Sequence, residues 1–225
     1  MLADLLENDY NGDLDEYWER ERTATPVRAF AVRLHATGCS LRETEAILAS
    51  LGVERSHQAI FQWVHRLTDS SPDPPTASPS RVAVDETAVR INGDLCWVYA
   101  AIDLDTKLIL DAQIFKRHGT DPAAAFLHRL RENHDCANTT FLTDSFGYRT
   151  ALNRLGLSGR VDYTDRNLIE KWFHTLKQRI DRFHHSWVGS RRSVRRWISH
   201  YVQYYNEQRP HQSLDGRTPA EEVLN

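Results

Sequence analysis

The chain has 225 residues, 40% of them hydrophobic and 26% charged, which is typical of a globular protein and excludes a disordered or collagen-like chain. No apolar run reaches the length of a membrane span, and the acidic start lacks the basic leader of a signal peptide. The three cysteines are scattered, so we predict neither a disulfide framework nor a zinc site, and we expect a reducing cytoplasm.

The net charge of −3 hides an uneven distribution. Residues 1–22 hold eight acids against two arginines, and we assign this leader no chemistry. Residues 160–200 hold ten lysines and arginines against four acids. A segment with this excess of positive charge can meet phosphates.

Residues 24–68 are predicted to form three short helices. Ser40 and Glu43 form a capping-box pattern that opens the second helix, and Ser56 can cap the third, at 57–67. This order is typical of a helix-turn-helix domain, whose last helix reads base edges in the major groove, although a three-helix bundle of another function has the same pattern. The candidate DNA-contacting residues are Ser56, His57, Gln58 and Gln62.

Residues 69–80 are rich in proline and serine and predict a semi-rigid linker. Alternating β-branched residues follow, with a hairpin turn at Asn92-Gly93. The predicted elements are strands at 81–91, 95–102 and 108–115, a helix from Asp121, a strand at 139–143, a helix at 148–155, a strand at 158–163 and a helix at 166–183. This order indicates an α/β, ribonuclease-H-like fold, a mixed sheet flanked by helices.

The tail is basic and aromatic, with a helix predicted at 193–205 and ended by Pro210. Two arginine pairs in one short segment favour a patch for the DNA backbone over a solvated face; they are Arg191, Arg192, Arg195 and Arg196. Trp172, Trp187 and Trp197 either stack on bases or, as is more usual for helical aromatics, pack in the core.

Three carboxylates come from three separate segments of the core. Asp85 lies inside the first strand, where a charge is costly without a partner; Asp144 ends another strand; and Glu170 lies on the helix at 166–183. If they converge, protonation or bound cations must relieve their repulsion, and oxygen ligands suit Mg²⁺ or Mn²⁺. Two such ions about 3.5–4 Å apart can activate a water or 3′-hydroxyl and stabilise a leaving oxygen. Glu86 is excluded from this set because alternation sends it to the other face.

The motifs around these acids resemble the DDE triad of insertion-sequence transposases, most closely the IS6 family. They are Val84-Asp85-Glu86-Thr87, Thr143-Asp144, and Arg166 to Glu170 with Lys177 seven residues later. The stretch Cys96 to Asp103 fits the same family, and the tail from Tyr205 to Leu214 resembles a wider set of integrase-core enzymes. The resemblance covers the chain from about residue 24.

The resemblance implies a transposase that binds the terminal inverted repeats of its element, cleaves DNA at the ends and joins the 3′-hydroxyl to target DNA by metal-dependent transesterification. Asp85, Asp144 and Glu170 would be catalytic and would bind two Mg²⁺ or Mn²⁺ ions, and Lys177 would contact DNA phosphates. The expected partners are double-stranded DNA and further copies of the chain, as a homodimer or higher oligomer. We expect the protein in the cytoplasm with the nucleoid, and no membrane.

This resemblance divides the chain into five predicted parts. They are an acidic leader (1–23), a helix-turn-helix DNA-binding domain (24–68), a linker (69–80), a DDE catalytic core (81–185) and a basic, aromatic helical tail (186–225).

One departure from the family concerns spacing. Twenty-five residues separate Asp144 from Glu170, fewer than is usual there. A trimmed loop and a damaged copy both account for this, and the intact motif around Glu170 favours the trimmed loop.

Two other functions are compatible with parts of the pattern. A non-catalytic DNA-binding regulator or domesticated remnant would not need the three acids. A ribonuclease-H-like nuclease would cut without joining, and it would need neither the N-terminal domain nor the tail.

Overall fold

The structure is a computed structural model that describes residues 22–70, 74–144, 146–162, 167–183 and 190–224, without the side chains of 67–70, 146 and 180–183. Residues 1–21 of the predicted acidic leader lie outside these residues, as do Arg166 and Trp187. The elements are α1 (Thr25–Ala36), α2 (Leu41–Ser50), α3 (His57–Ser70), β1 (Arg81–Ile91), β2 (Asp94–Asp103), β3 (Ile109–Phe115), α4 (Thr120–Asn133), β4 (Thr140–Thr143), α5 (Phe146–Leu155), β5 (Ser158–Val161), α6 (Asn167–Phe183), α7 (Arg191–Gln203) and α8 (Pro219–Leu224).

The first three helices form a small unit around their own core, which includes Ala31, Val32, Leu48, Ile60 and Trp63. The predicted capping box is present: the Glu43 N–H donates to Ser40 Oγ at 3.2 Å, and the Ser40 N–H donates to Glu43 Oε2 at 2.7 Å. Gly52 has a φ of 79° in the turn between α2 and α3, a conformation that favours glycine. The three predicted helices are confirmed, and α3 extends to Ser70.

A five-stranded mixed sheet forms the centre of the rest of the chain, in the order β3-β2-β1-β4-β5. β1, β2 and β3 are antiparallel neighbours, whereas β4 is parallel to both β1 and β5. Asn92 and Gly93 both have positive φ in the two-residue turn between β1 and β2, as the sequence predicts for this hairpin.

Alternation along the strands produces two apolar faces. On one face, Ala83 and Val89 of β1 pack with residues of α6 and α7, including Ile169 and Trp197. On the other, Val82 and Val84 pack with residues of α4 and α5, including Phe126 and Tyr148. Odd-numbered residues of β1 therefore face α6 and α7, and even-numbered residues face α4 and α5.

The tail starts earlier than the sequence predicts. α7 begins at Arg191 rather than at Ser193, because Ser190 caps it by accepting a hydrogen bond from the Ser193 N–H at 3.2 Å. The helix continues as a π-helical turn, Tyr204–Gln208. There, Oδ1 of buried Asn206 accepts a hydrogen bond from the Ile109 N–H of β3, and Nδ2 donates one to the Ile109 C=O, each at 2.9 Å.

The three-helix unit lies against α7 and the turn that follows it. Arg33 of α1 donates to Gln208 Oε1 at 2.7 Å, and its guanidinium lies 4.8 Å from the centre of the Tyr204 ring. Nε2 of His200 lies 3.2 Å from the Val32 carbonyl oxygen. None of the helices in the described ranges is long and apolar enough to cross a membrane.

The second half of the proline-rich segment is packed against the sheet domain. Thr139 Oγ1 donates to the Pro79 carbonyl at 2.7 Å, and the Asp135 N–H donates to the Ala77 carbonyl at 3.0 Å. Ala77 itself is buried. The three-helix unit is thus connected to the sheet domain by a short stretch of chain as well as by α7.

Buried His200 makes this arrangement sensitive to acid. Burial, and to a smaller extent the charge of the neighbouring His35, lower the pKa of His200 from 6.5 to about 4, whereas its hydrogen bond with the Val32 carbonyl raises it. Between those two pH values the unfolded chain binds a proton that the folded chain does not, so stability falls as the pH falls. The difference corresponds to about 3 kcal/mol.

We therefore expect the free energy of unfolding to decrease as the pH falls from 6.5 towards 4, and to decrease less in His200→Gln, whose neutral amide can still donate to Val32. Urea denaturation followed by circular dichroism at several pH values measures this. Exposed His128, replaced by Gln, is the control. Equal pH dependence in wild type and His200→Gln would contradict the assignment.

Candidate active site

Asp85 lies in the middle of β1, on the face covered by α6. It is two residues from Ala83, which packs in the same face, and Ala100 of β2 is its cross-strand neighbour. The side chain is half-buried, and its Oδ1 accepts a hydrogen bond from the Glu86 N–H at 2.9 Å. One oxygen of a partly accessible carboxylate is thereby fixed by the backbone.

Asp144 directly follows β4, the parallel neighbour of β1. The register pairs Val82 with Phe141 and Ala83 with Leu142. If this register continued for two more residues, Asp144 would lie level with Asp85. Neighbouring paired strands run about 4.8 Å apart. Leu142 packs in the same apolar face as Ala83, so alternation directs both aspartates towards the α6 side.

Glu170 is exposed in the first turn of α6, where the helix dipole favours a carboxylate. The same helix buries Ile169, Trp172 and Leu176 against the sheet. These three residues follow the predicted apolar stripe, and exposed Lys177 lies two turns beyond Glu170. The helix thus presents Glu170 and Lys177 beside the face that carries the aspartates.

α6 is fixed in place by an aromatic stack with α7. Tyr201 lies between Trp172 and Trp197, with ring centroids 5.7 and 5.6 Å away. Both tryptophans are buried, so packing in the core, rather than stacking on bases, is confirmed for these two. The stack ties the orientation of the Glu170 helix to the C-terminal tail.

The structure brings the three acids together only in part. Asp85 and Asp144 lie two residues beyond the last paired positions of β1 and β4, where a continued register would set them level, and Glu170 lies on the helix that covers the Asp85 face. Among the described residues, which leave out 145 and 163–166, no set of three or more His, Cys, Asp or Glu is arranged to hold a metal ion. Two level carboxylates are a donor set that fits Mg²⁺ or Mn²⁺, which prefer oxygen ligands.

Glu86 points to the opposite face, as alternation predicts, and is in contact with Tyr148 of α5. The Tyr148 hydroxyl donates a hydrogen bond to its carboxylate. Burial raises the pKa of Glu86, and the charges of Asp85 and Asp144 raise it further, whereas the Tyr148 hydrogen bond and His118 lower it. Glu86 is therefore close enough to both aspartates to be repelled by them.

Tyr148 and His118 are residues near the acids that sequence reasoning did not identify. Burial, followed by the charge of Glu86, raises the pKa of Tyr148 well above its usual range, so that it remains a donor at neutral pH. The sequence signal was slight: Tyr148 lies one helical turn after Asp144. Its partner is 62 positions away in the chain, and no local pattern connects the two.

On α3, the predicted DNA-contacting residues differ in their surroundings. Gln58 and Gln62 are exposed. His57 lies 3.2 Å from Glu45 of α2, and Ser56 Oγ accepts from the Ala59 N–H at 3.3 Å, so these two side chains also have contacts within the unit. Phe61, which the sequence did not single out, is 40% exposed beside the two glutamines.

The predicted arginine patch lies at the start of α7. Arg191, Arg192 and Arg195 are exposed and Arg196 is half-buried. Arg195 also donates to the Ile114 carbonyl of β3 at 3.3 Å. A surface cavity of about 440 Å³ adjoins the patch and is lined by Arg191 and Lys116, among others.

Repulsion among the acids predicts a gain in stability when one is neutralised. Without divalent cations, Asp85→Asn should raise the melting temperature by about 2–4 °C, equivalent to about 1 kcal/mol in a chain of this size. The asparagine oxygen can still accept the Glu86 N–H. Asp94→Asn, at the exposed hairpin end, is the control; an Asp85→Asn protein that melts no higher than wild type would contradict the repulsion.

Comparison with known proteins identifies relatives of the sheet domain. Residues 79–211 match the family model described as a DDE domain, of the IS240 transposase type. The uncharacterized protein MJ0017 of Methanocaldococcus jannaschii is 25% identical over 194 residues, which cover 84% of this chain and 89% of that protein.

Two solved structures from retroviruses are similar. The intasome of simian T-cell lymphotropic virus, solved by cryoEM with PP2A regulatory subunit B56 gamma, contains a chain with a TM-score of 0.50 and 14% identity, over 87% of this chain and 74% of that one. The catalytic core domain of BIV integrase has a TM-score of 0.48 and 16% identity, over 64% and 93%. The predicted ribonuclease-H-like fold, a mixed sheet flanked by helices, is confirmed.

Proposed function

Because the chain belongs to the family of DDE-domain transposases, we propose that it binds the terminal inverted repeats of an insertion sequence of the IS6 type, cleaves DNA at the ends and joins the 3′-hydroxyl to target DNA. The observation that carries the proposal is the parallel β1–β4 register, whose continuation for two residues would set Asp85 level with Asp144. Glu170, on the helix over the same face, supplies the third carboxylate.

In this proposal Asp85, Asp144 and Glu170 hold Mg²⁺ or Mn²⁺, at two positions. When bound, these ions make a water or 3′-hydroxyl nucleophilic and stabilise the leaving oxygen of a phosphodiester. In cleavage, water adds to phosphorus and the 3′-oxygen leaves as a hydroxyl. In joining, that hydroxyl adds to a target phosphorus as the target's own 3′-oxygen leaves, so one phosphodiester replaces another.

The protein's own groups orient the DNA for these steps. Lys177, two turns from Glu170 on the exposed side of α6, would contact a phosphate near the acids. The backbone N–H of Glu86 donates to Oδ1 of Asp85 and so helps to orient this carboxylate. The aromatic stack on α7 would keep the helix that carries Glu170 in place.

We assign recognition of the ends to the helix-turn-helix unit. Exposed Gln58 and Gln62 on α3 can bind adenine through two hydrogen bonds in the major groove, and Ser56 and His57 lie at the same helix start. Arg191, Arg192, Arg195 and Arg196 would contact the DNA backbone without reading sequence.

An element has two ends, so we expect a homodimer or higher oligomer in the active complex. Both ends and the target are double-stranded DNA, and we propose that the protein acts on them in the cytoplasm, at the nucleoid.

The chemical assignment is tested by movement of a marked element that carries its native ends. We expect Asp85→Asn, Asp144→Asn and Glu170→Gln each to abolish movement while DNA binding is kept, because each removes a metal ligand. Asp94→Asn is the control for loss of a carboxylate elsewhere. Movement that persists in a triad variant would remove that residue from the assignment.

Cleavage of the ends without joining would instead indicate a nuclease, and end binding without either reaction would indicate a regulator or remnant.

The recognition assignment is tested by binding of the full chain to end DNA and to unrelated DNA. Gln58→Ala should weaken end binding by about 1–3 kcal/mol and leave the salt dependence unchanged, whereas Gln212→Ala, an exposed control, should have no effect. Arg191→Ala should weaken both DNAs alike and reduce the slope of log K against log salt by about 0.9. Equal loss on both DNAs in Gln58→Ala would contradict base reading.

A further inference from the structure

Glu86 and Tyr148 connect the two segments that carry the two aspartates. Glu86 directly follows Asp85 in β1. Tyr148 lies in the first turn of α5, which begins two residues after Asp144. The hydrogen bond from the Tyr148 hydroxyl to the Glu86 carboxylate therefore joins the Asp144 segment to the Asp85 strand, on the sheet face opposite the proposed metal ligands.

The Tyr148 ring has a well-defined position. It is 2% exposed and packs in the apolar face formed with α4 and α5. Its centroid lies 6.1 Å from that of Tyr99, the cross-strand neighbour of Glu86. The Tyr99 hydroxyl is held in turn by the Gly119 N–H, which donates to it at 3.1 Å. A phenol confined in this way allows the Glu86 carboxylate a narrow range of positions.

This connection lies where the strand pairing stops. The β1–β4 ladder runs from Arg81–Thr140 to Ala83–Leu142 and ends before the two aspartates. Beyond it, the two like charges tend to separate the chains. The Tyr148–Glu86 hydrogen bond acts a few residues further along and opposes that separation.

We propose that Glu86 and Tyr148 are positioning residues that hold Asp144 level with Asp85, so that both carboxylates can bind one divalent cation. Glu86 is not itself a ligand in this proposal, because its side chain is on the other face of the sheet. The inference rests on the proposed function, since it requires that the aspartates bind metal.

The test is calorimetric titration of the full-length protein with Mn²⁺ in the absence of DNA. Tyr148→Phe removes the hydroxyl and keeps the ring, and we expect it to weaken Mn²⁺ binding about 10- to 100-fold, as the loss of a group that orients a ligand commonly does. Tyr99→Phe is the matched control, because it removes a neighbouring hydroxyl whose hydrogen bond is with the Gly119 N–H, and it should bind Mn²⁺ as wild type does. Unchanged affinity in Tyr148→Phe, or equal loss in both variants, would overturn the proposal.

A second pair of variants tests the same role without altering the tyrosine. The amide oxygen of Glu86→Gln can still accept a hydrogen bond from Tyr148, so the Mn²⁺ affinity of this variant should stay within a few-fold of wild type. Glu86→Ala cannot accept this hydrogen bond, so its Mn²⁺ affinity should fall as much as that of Tyr148→Phe. If Gln is as damaging as Ala, the charge of Glu86 is what matters and the positioning role is wrong. In strand transfer, Tyr148→Phe should need more Mn²⁺ for half-maximal rate and regain the wild-type rate at saturation.

Asp85→Asn in the same titration separates the two proposals. If Mn²⁺ binding is lost in Asp85→Asn but unchanged in Tyr148→Phe, the metal-dependent function stands and only the positioning role is overturned. A wild-type protein without Mn²⁺ affinity would overturn both.

Discussion

The parallel pairing of β1 with β4 is the constraint on which the candidate active site depends. β1 carries Asp85 at its centre, and β4 is only four residues long. Three paired residues fix the register of β4 against β1, and its continuation for two residues would set Asp144 level with Asp85. A shift of register by one residue would move the second aspartate out of line and exchange the places of Phe141 and Leu142 between the two apolar faces. The packing of these two residues on opposite faces therefore helps to fix the geometry of the acids.

The remaining carboxylate depends on packing between helices. Glu170 belongs to α6, whose Trp172 is stacked on Tyr201 of α7, and the guanidinium of Arg179 lies 4.6 Å from the centre of the same tyrosine ring. α7 also carries His200, which contacts Val32 of the N-terminal unit. One helix of the tail thus supports both the proposed catalytic helix and the proposed DNA-reading unit, so the tail is part of the scaffold of the protein.

The two faces of the sheet give their acidic residues different partners. The α6 face presents Asp85, while on the α5 face Glu86 accepts a hydrogen bond from Tyr148. Two adjacent, half-buried acids in one strand therefore have different partners, one a backbone N–H and the other a buried phenol. A cation would offset the repulsion on the open face, and hydrogen bonding does so on the closed one.

What the sequence alone determined was local. Helical and strand periodicity predicted the order of elements, the Ser40–Glu43 capping box and the opposite faces of Asp85 and Glu86, because each depends on neighbours within about one helical turn or one strand pair. The family motif then selected which acids to consider. Only the tertiary structure decided the level of Asp144 against Asp85, the Glu86–Tyr148 hydrogen bond and the contact of His200 with Val32. These depend on partners 59 to 168 positions apart, whose meeting is decided by register and helix packing rather than by any local pattern.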